Sequence, residues 1–409
     1  MISTQINQYQ KHTIMQTKTN RRQWLRNSAL LTGGLTILPS LFNKSAANSG
    51  VLKVPTNQFL TDVLTDIQAA EQFAITPKLK ARLFANENPW GPSPASKNAI
   101  AEALATSYQY SFMNLPDLEK KITDFEGVGT DQILLDCGSS QLLLAAAMHF
   151  GKNGGTIITC DPTYDDLLRK ASAHDANIVK VPLTADFKFD LDAIEATIDS
   201  KTSLVYIVNP NNPTGTALDA TKLKAFCDRV SKKVPIFIDE AYIDYLPDPQ
   251  ANTLIENVKK GQNVIVARTF SKLYGFAGLR VGYIIAQPGT IKTLEKYTDN
   301  GGNISAPTLA AAMVTFKEQP YCSEIIKNTQ ASKDYLYSVL KAEGYEYIPS
   351  VTNFVMFPIK MDGKKFADEM RKRSVGVRFW KMNGKDWCRI SIGRMDEMEA
   401  FAKAFKEIS

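Results

Sequence analysis

Residues Arg268 to Tyr283 read Arg-Thr-Phe-Ser-Lys-Leu-Tyr-Gly-Phe-Ala-Gly-Leu-Arg-Val-Gly-Tyr, and this stretch decides the fold. An apolar strand, Asn263 to Ala267, runs into a turn carrying Ser271 and Lys272, and a second apolar strand follows from Val281 to Ala286. Gly275, Ala277 and Gly278 lie between them and allow a ligand close to the backbone. A lysine at a strand end, in a small-residue pocket with a hydroxyl and an arginine, suits one chemistry well. It can form a Schiff base with an aldehyde whose phosphate is held by Ser271 and Arg280. A lone Ser-Lys pair would read more simply as a surface lysine on a glycine loop.

Working outward, further strands are expected at Gln132 to Asp136, Thr156 to Cys160, Asn177 to Val181, Ser203 to Val208 and Ile236 to Asp239. Helical stretches such as Ser140 to Phe150, Leu167 to Ala173 and Leu218 to Lys232 separate them. β-Branched runs alternating with amphipathic helices predict an α/β fold with a mainly parallel sheet covered on both faces. Ligand groups are then expected on loops at the carboxyl ends of the strands. After Gly302 the pattern changes. Helices near Ala306 to Lys317 and Tyr321 to Glu343 lead to short strands at Phe354 to Phe357, Gly376 to Arg378 and Cys388 to Ile392, then a helix from Asp396 to Lys406. This predicts a smaller α+β domain, completed by residues 80 to 105.

The chain has 409 residues and a net charge of +6. Lys11, Lys18, Arg21, Arg22, Arg26 and Lys44 supply that excess, because no acid occurs before residue 48. The remainder is balanced and gives no support for nucleic-acid binding. Five dispersed cysteines without a Cys-x-x-Cys argue against a disulfide framework or a zinc site. Three histidines, His12, His149 and His174, offer little for a triad or a metal centre. The segment Asn20-Arg21-Arg22-Gln23-Trp24-Leu25-Arg26, with an apolar run to Phe42 and Ser45-Ala46-Ala47, resembles a twin-arginine export signal cleaved near Ala47. An uncleaved tail is the plainer alternative. The signal implies an enzyme that is periplasmic or otherwise exported by the twin-arginine machinery.

The pattern Ser-Lys-x-x-Gly-x-Ala-Gly-x-Arg-x-Gly at Ser271 to Gly282, together with Asn86-Glu-Asn-Pro-Trp-Gly-Pro-Ser-Pro94, resembles the class I/II pyridoxal-phosphate (PLP) aminotransferases of fold type I. The nearest branch is that of the histidinol-phosphate aminotransferases. The resemblance implies a large PLP-binding domain with a seven-stranded sheet, residues 110 to 302. It implies a small domain from 81 to 109 and 303 to 409, behind a signal peptide, 1 to 47, and an arm, 48 to 80.

It also implies roles for individual residues. Lys272 would be the Schiff-base lysine and proton carrier, and Asp239 would face the pyridine nitrogen. Asn212 and Tyr242 would bond the phenolic oxygen, and Tyr164 would stack on the ring. Ser139, Ser140, Ser271 and Arg280 would hold the phosphate. Arg389 would clamp the substrate carboxylate, with Arg378 and Asn88 as further substrate contacts. Tyr110 would reach the phosphate of a neighbouring subunit's cofactor, which implies a homodimer with shared active sites. The reaction implied is ping-pong transfer of an amino group from an amino acid, or a histidinol-phosphate-like amine, to a 2-oxo acid. A PLP-dependent decarboxylase or lyase on the same scaffold is the alternative.

Overall fold

Seven strands form the main sheet of the computed structural model, which describes residues 79–409. The leader, the arm to residue 78 and the helix expected at Leu60 to Phe73 lie outside the described residues. The first strand, β1 (Ala81–Arg82), belongs elsewhere. The sheet comprises β2 (Ile133–Asp136), β3 (Thr156–Asp161), β4 (Asn177–Pro182), β5 (Thr202–Val208), β6 (Ile236–Asp239), β7 (Val264–Thr269) and β8 (Gly282–Ile285). Their spatial order is β2-β8-β7-β6-β5-β3-β4. Strands β3 to β7 run parallel, whereas β8 is antiparallel to both neighbours. Strands β2, β6, β7 and β8 are buried at every position, as expected of a sheet flanked by helices on both faces. Each Ile, Leu or Val removed from water there stabilises by about 1.5–3 kcal/mol.

The reversed strand matters for the site. Gly282 at the start of β8 pairs with Thr269 at the end of β7 and with Asp136 at the end of β2. The residues just before β8 and just after β2, β5, β6 and β7 therefore collect along one edge of the sheet.

A second, antiparallel sheet has the order β11-β12-β9, from β9 (Phe354–Pro358), β11 (Arg378–Met382) and β12 (Lys385–Ser391). Its core includes Phe357, Phe366, Cys388, Phe401 and Phe405. Strand β1 pairs in parallel with β10 (Val375–Gly376), and Leu83 continues the contact with bonds to Gly376 and Ser391.

Three details depart from the sequence expectation. The strand expected at Gly376 to Arg378 is divided at Val377 between β10 and β11, which face different partners. The strand expected at Cys388 to Ile392 starts earlier, at Lys385, directly after a hairpin turn. Asn383 and Gly384 have φ of 52° and 71°, the pairing that a tight two-residue turn requires. The helix Ala306–Thr315 does not join the small core. It is apolar on all sides and packs with Leu309, Ala311 and Ala312 in the large core, beside the helix Pro94–Ala103. The change of core falls inside the long helix Gln319–Ala342, which gives Ile325 to the large cluster and Leu336 to the small one.

One buried ion pair ties two site-bearing strands together. Arg268 Nε donates to Glu240 Oε2 at 2.7 Å, and both side chains are nearly inaccessible. Thr253 Oγ1 and the Leu254 N–H also donate to Glu240. Arg268→Met would strand a buried carboxylate without its cation, at an expected cost of about 3–5 kcal/mol. Urea unfolding measures this, and a loss below about 1 kcal/mol would show that the pair contributes little.

Candidate active site

The loops after β2, β5, β6 and β7, with the turn before β8, enclose a cavity of 280 Å³. One end is built for an anion. The helix Ser139–Gly151 starts after Gly138 with no side-chain cap, so its first N–H groups are free to meet a ligand. Ser271 Oγ accepts from Arg280 Nη1 at 3.1 Å and from Thr269 Oγ1 at 3.0 Å. Arg280 Nη1 also donates to Ala277 O, and its φ of 61° turns the guanidinium back over the loop. Gly138 has φ 80°, and a Cβ there would lie 2.4 Å from Arg280 Nη2.

The other groups carry unbalanced charge. Asp239 is buried, with Oδ1 accepting from the Ala241 N–H at 3.0 Å and Oδ2 from Tyr206 Oη at 3.4 Å. Burial pushes its pKa up to about 6, against those two donors and the Lys272 amine. No cation is hydrogen-bonded to it among the described residues. Lys272 Nζ reaches Ala85 O at 3.5 Å and sits 5.5 Å from the Tyr242 ring centroid. Tyr242 Oη accepts from Asn86 Nδ2 at 3.1 Å.

Arg389 is buried on β12, its Nη1 donating to Asn212 Oδ1 at 2.6 Å and its Nη2 to Phe84 O at 2.8 Å. Its Nε has no partner, and no carboxylate meets it among the described residues. Burial pulls its pKa down to about 9. Because Asn212 accepts through Oδ1, its amide nitrogen is the end left to donate.

A buried carboxylate without a cation, a buried guanidinium without an anion and an uncapped helix start share one cavity with an amine. A cationic pyridine ring bearing a phosphate and an aldehyde would meet the first, third and fourth, leaving Arg389 for a substrate. Residues 79–405 match the model of the aminotransferase class I and II family. The chain belongs to that family. It is 33% identical over 329 residues to histidinol-phosphate aminotransferase of Moorella thermoacetica, covering 80% of this chain and 85% of that one. It is 35% identical to aromatic amino acid aminotransferase of Rhodococcus jostii, covering 78% and 88%. Histidinol-phosphate aminotransferase of Sinorhizobium meliloti, solved in complex with pyridoxal 5′-phosphate, superposes with a TM-score of 0.76 at 26% identity, covering 89% and 100%. The chain is a fold-type I PLP-dependent aminotransferase.

In this aminotransferase, Ser139, Ser140, Tyr164, Asn212, Asp239, Tyr242, Ser271, Lys272, Arg280, Arg378 and Arg389 all line the cavity. Two sequence candidates do not. Asn88 donates its Nδ2 to Leu273 O at 2.7 Å and accepts from the Trp90 N–H, so its carboxamide braces the lysine turn rather than facing the cavity. Asn86, two residues earlier, takes the place at the wall. Tyr110 is 85% exposed and outside the cavity of its own chain.

Tyr206 and Asn86 were not singled out by sequence. Tyr206 is one of a run of apolar strand residues, and only the β5–β6 register, Tyr206 beside Phe237 and Val208 beside Asp239, brings its hydroxyl to the carboxylate. Asn86 has a φ of 54° inside the Asn-Glu-Asn-Pro segment, and asparagine tolerance of that region was the available signal.

Gly138→Ala is expected to displace Arg280 and weaken PLP binding by about tenfold or more. Titrating apoenzyme with PLP by absorbance tests this. An unchanged affinity would remove Arg280 from the phosphate site.

Proposed function

We propose that this aminotransferase takes α-amino acids and 2-oxo acids whose carboxylate is received by Arg389. The carrying observation is the buried guanidinium, held in place by Asn212 and Phe84 and, among the described residues, by no acid and with no partner at Nε. A planar fork in a low-dielectric wall favours a carboxylate over neutral groups. The Ser139 and Ser140 helix start, Ser271 and Arg280 hold the cofactor phosphate, Tyr164 covers the ring, and Asn212 and Tyr242 donate to its phenolic oxygen. Asp239, supported by Tyr206, keeps the ring nitrogen protonated. PLP bound there supplies an electron sink that acidifies the substrate Cα–H. Lys272 Nζ takes that proton and delivers it, which needs an amine free of a fixed counter-ion. Among the described residues its sole hydrogen bond, to Ala85 O at 3.5 Å, leaves it so.

The curated relatives act, by their names, on histidinol phosphate and on aromatic amino acids; an aromatic amino acid would present its carboxylate to Arg389, whereas histidinol phosphate, which has no carboxylate, would have to present its phosphate there. Incubating holoenzyme with a panel of amino donors and 2-oxoglutarate should yield glutamate and the matching oxo compound. Release of carbon dioxide, pyruvate or ammonia without 2-oxoglutarate would instead favour the decarboxylase or lyase alternative.

Two further readings belong with this one. The enzyme works as a homodimer in which Tyr110 serves the neighbouring subunit's phosphate. The cluster of exposed apolar side chains Leu104, Tyr108, Tyr110, Phe112 and Met113 supports this, because a soluble monomer rarely leaves such a group in water. A monomeric mass by light scattering would refute it. The paired arginines at Arg21 and Arg22 direct export to the periplasm. Fractionation of cells carrying the Arg21→Lys, Arg22→Lys variant should leave the enzyme in the cytoplasm.

A further inference from the structure

Lys333 is 5% exposed, and the chemistry described above makes no use of it. It lies on the helix Gln319–Ala342 between Ile325 and Leu336, where the chain passes from the large core to the small one. Among the described residues no carboxylate pairs with it. Its Nζ donates instead to Ser350 O at 2.9 Å and to Thr352 O at 3.1 Å. Burial pulls its pKa down to about 8, which the neighbouring Asp334 offsets only in part. A buried ammonium without a counter-ion is costly, and charge-assisted bonds to carbonyls are what hold it in place.

The segment that Lys333 grips touches the carboxylate end of the cavity at several points. Between the two gripped carbonyls, the Val351 N–H donates to Gly215 O at 2.9 Å, in the turn that carries Asn212. Gly215 has φ 75°, and a Cβ there would run into Ser350 Oγ. Asn353 Nδ2 donates to Asn86 O at 3.1 Å, and Asn86 lines the cavity. The Phe354 ring meets Tyr242 edge-on, and the Arg389 guanidinium lies 5.4 Å from its centroid.

We propose that Lys333 is a positioning residue for substrate binding. By clamping Ser350 and Thr352 from the long helix, it fixes the segment that sets Asn212 and Arg389 at the cavity wall. The inference rests on the reading that Arg389 receives the α-carboxylate. Without the clamp two carbonyls lose their donor, and the segment is free to move away from the Asn212 turn. The phosphate end is built from other elements, the helix start at Ser139 and the turn from Ser271 to Arg280. The effect is therefore confined to the carboxylate end.

The test is calorimetric titration of holoenzyme with butyrate and with 3-phenylpropionate, carboxylates that lack an amino or oxo group. In Lys333→Met, which fills the space without donating, affinity for both should fall about tenfold or more. PLP affinity of the apoenzyme should stay within about threefold. In turnover the variant should raise KM for amino acid and oxo acid while kcat changes by less than about threefold. Thermal melts identify folded variants, and Lys333→Gln, which keeps a donor, carries the same comparison should Lys333→Met not fold. Gly215→Ala, with Lys333 intact, should reproduce the loss by pushing Ser350 off the Asn212 turn. Unchanged carboxylate affinity in the Lys333 variant, or an equal loss of PLP and carboxylate affinity, overturns this proposal alone. Absence of carboxylate binding by the wild type overturns the Arg389 reading and this inference with it.

Discussion

Lys272→Ala should lower the transamination rate by about 10⁴-fold, the upper range for a positioned proton carrier, with little change in stability. Among the described residues the amine has one long bond, to Ala85 O at 3.5 Å, and no carboxylate partner, so its removal leaves no buried group there stranded. Single-turnover formation of the oxo acid measures the first effect and a thermal melt the second. Borohydride reduction followed by peptide mass spectrometry should find the cofactor attached at Lys272 in the wild type. A variant that kept a tenth of the rate, or wild-type protein labelled elsewhere, would sink the assignment of Lys272.

The second large effect is expected at Arg389. Lys at this position keeps the charge but loses the fork, and cannot serve Asn212 Oδ1, Phe84 O and a substrate carboxylate together. Losing one charge-assisted bond at about 1.5–3 kcal/mol raises KM for the amino acid by about 10- to 100-fold. The maximal rate at saturating substrate should change much less, because Lys272 and Asp239 are untouched. A rise in KM confined to amino acid and oxo acid, with PLP affinity unchanged, is the expected signature. An unaltered KM would mean that the carboxylate is received elsewhere, with Arg378 the first alternative.

Most of this site was legible because its groups come in short, spaced strings. Ser271, Lys272 and Arg280 share one turn, Asn212 stands in Asn-Pro-Asn-Asn-Pro-Thr-Gly, and Asp239 and Tyr242 lie three residues apart. Chemistry that one loop carries survives in a linear reading. Asn88 illustrates the limit. Two asparagines in Asn86-Glu87-Asn88 were equivalent as letters, and the backbone turn at Asn86 decided which one faces the cavity. Tyr206 illustrates another, since a tyrosine in a buried strand is ordinarily packing. The helix Ala306–Thr315 was placed with the wrong core although its all-round apolar character pointed inward.

The sequence by itself determined the alternating strand–helix pattern, the lysine turn, the carboxylate and arginine candidates and the neutral charge of the body. Each of these is a property of residues near one another along the chain. Only the tertiary structure decided what depends on strands meeting across the sheets: the reversal of β8 that brings Arg280 to the shared edge, the register that supports Asp239 with Tyr206, and the β11–β12 pairing that sets Arg378 opposite Arg389. The physical reason is that periodicity says which face a side chain takes, whereas pairing between distant segments says what it faces.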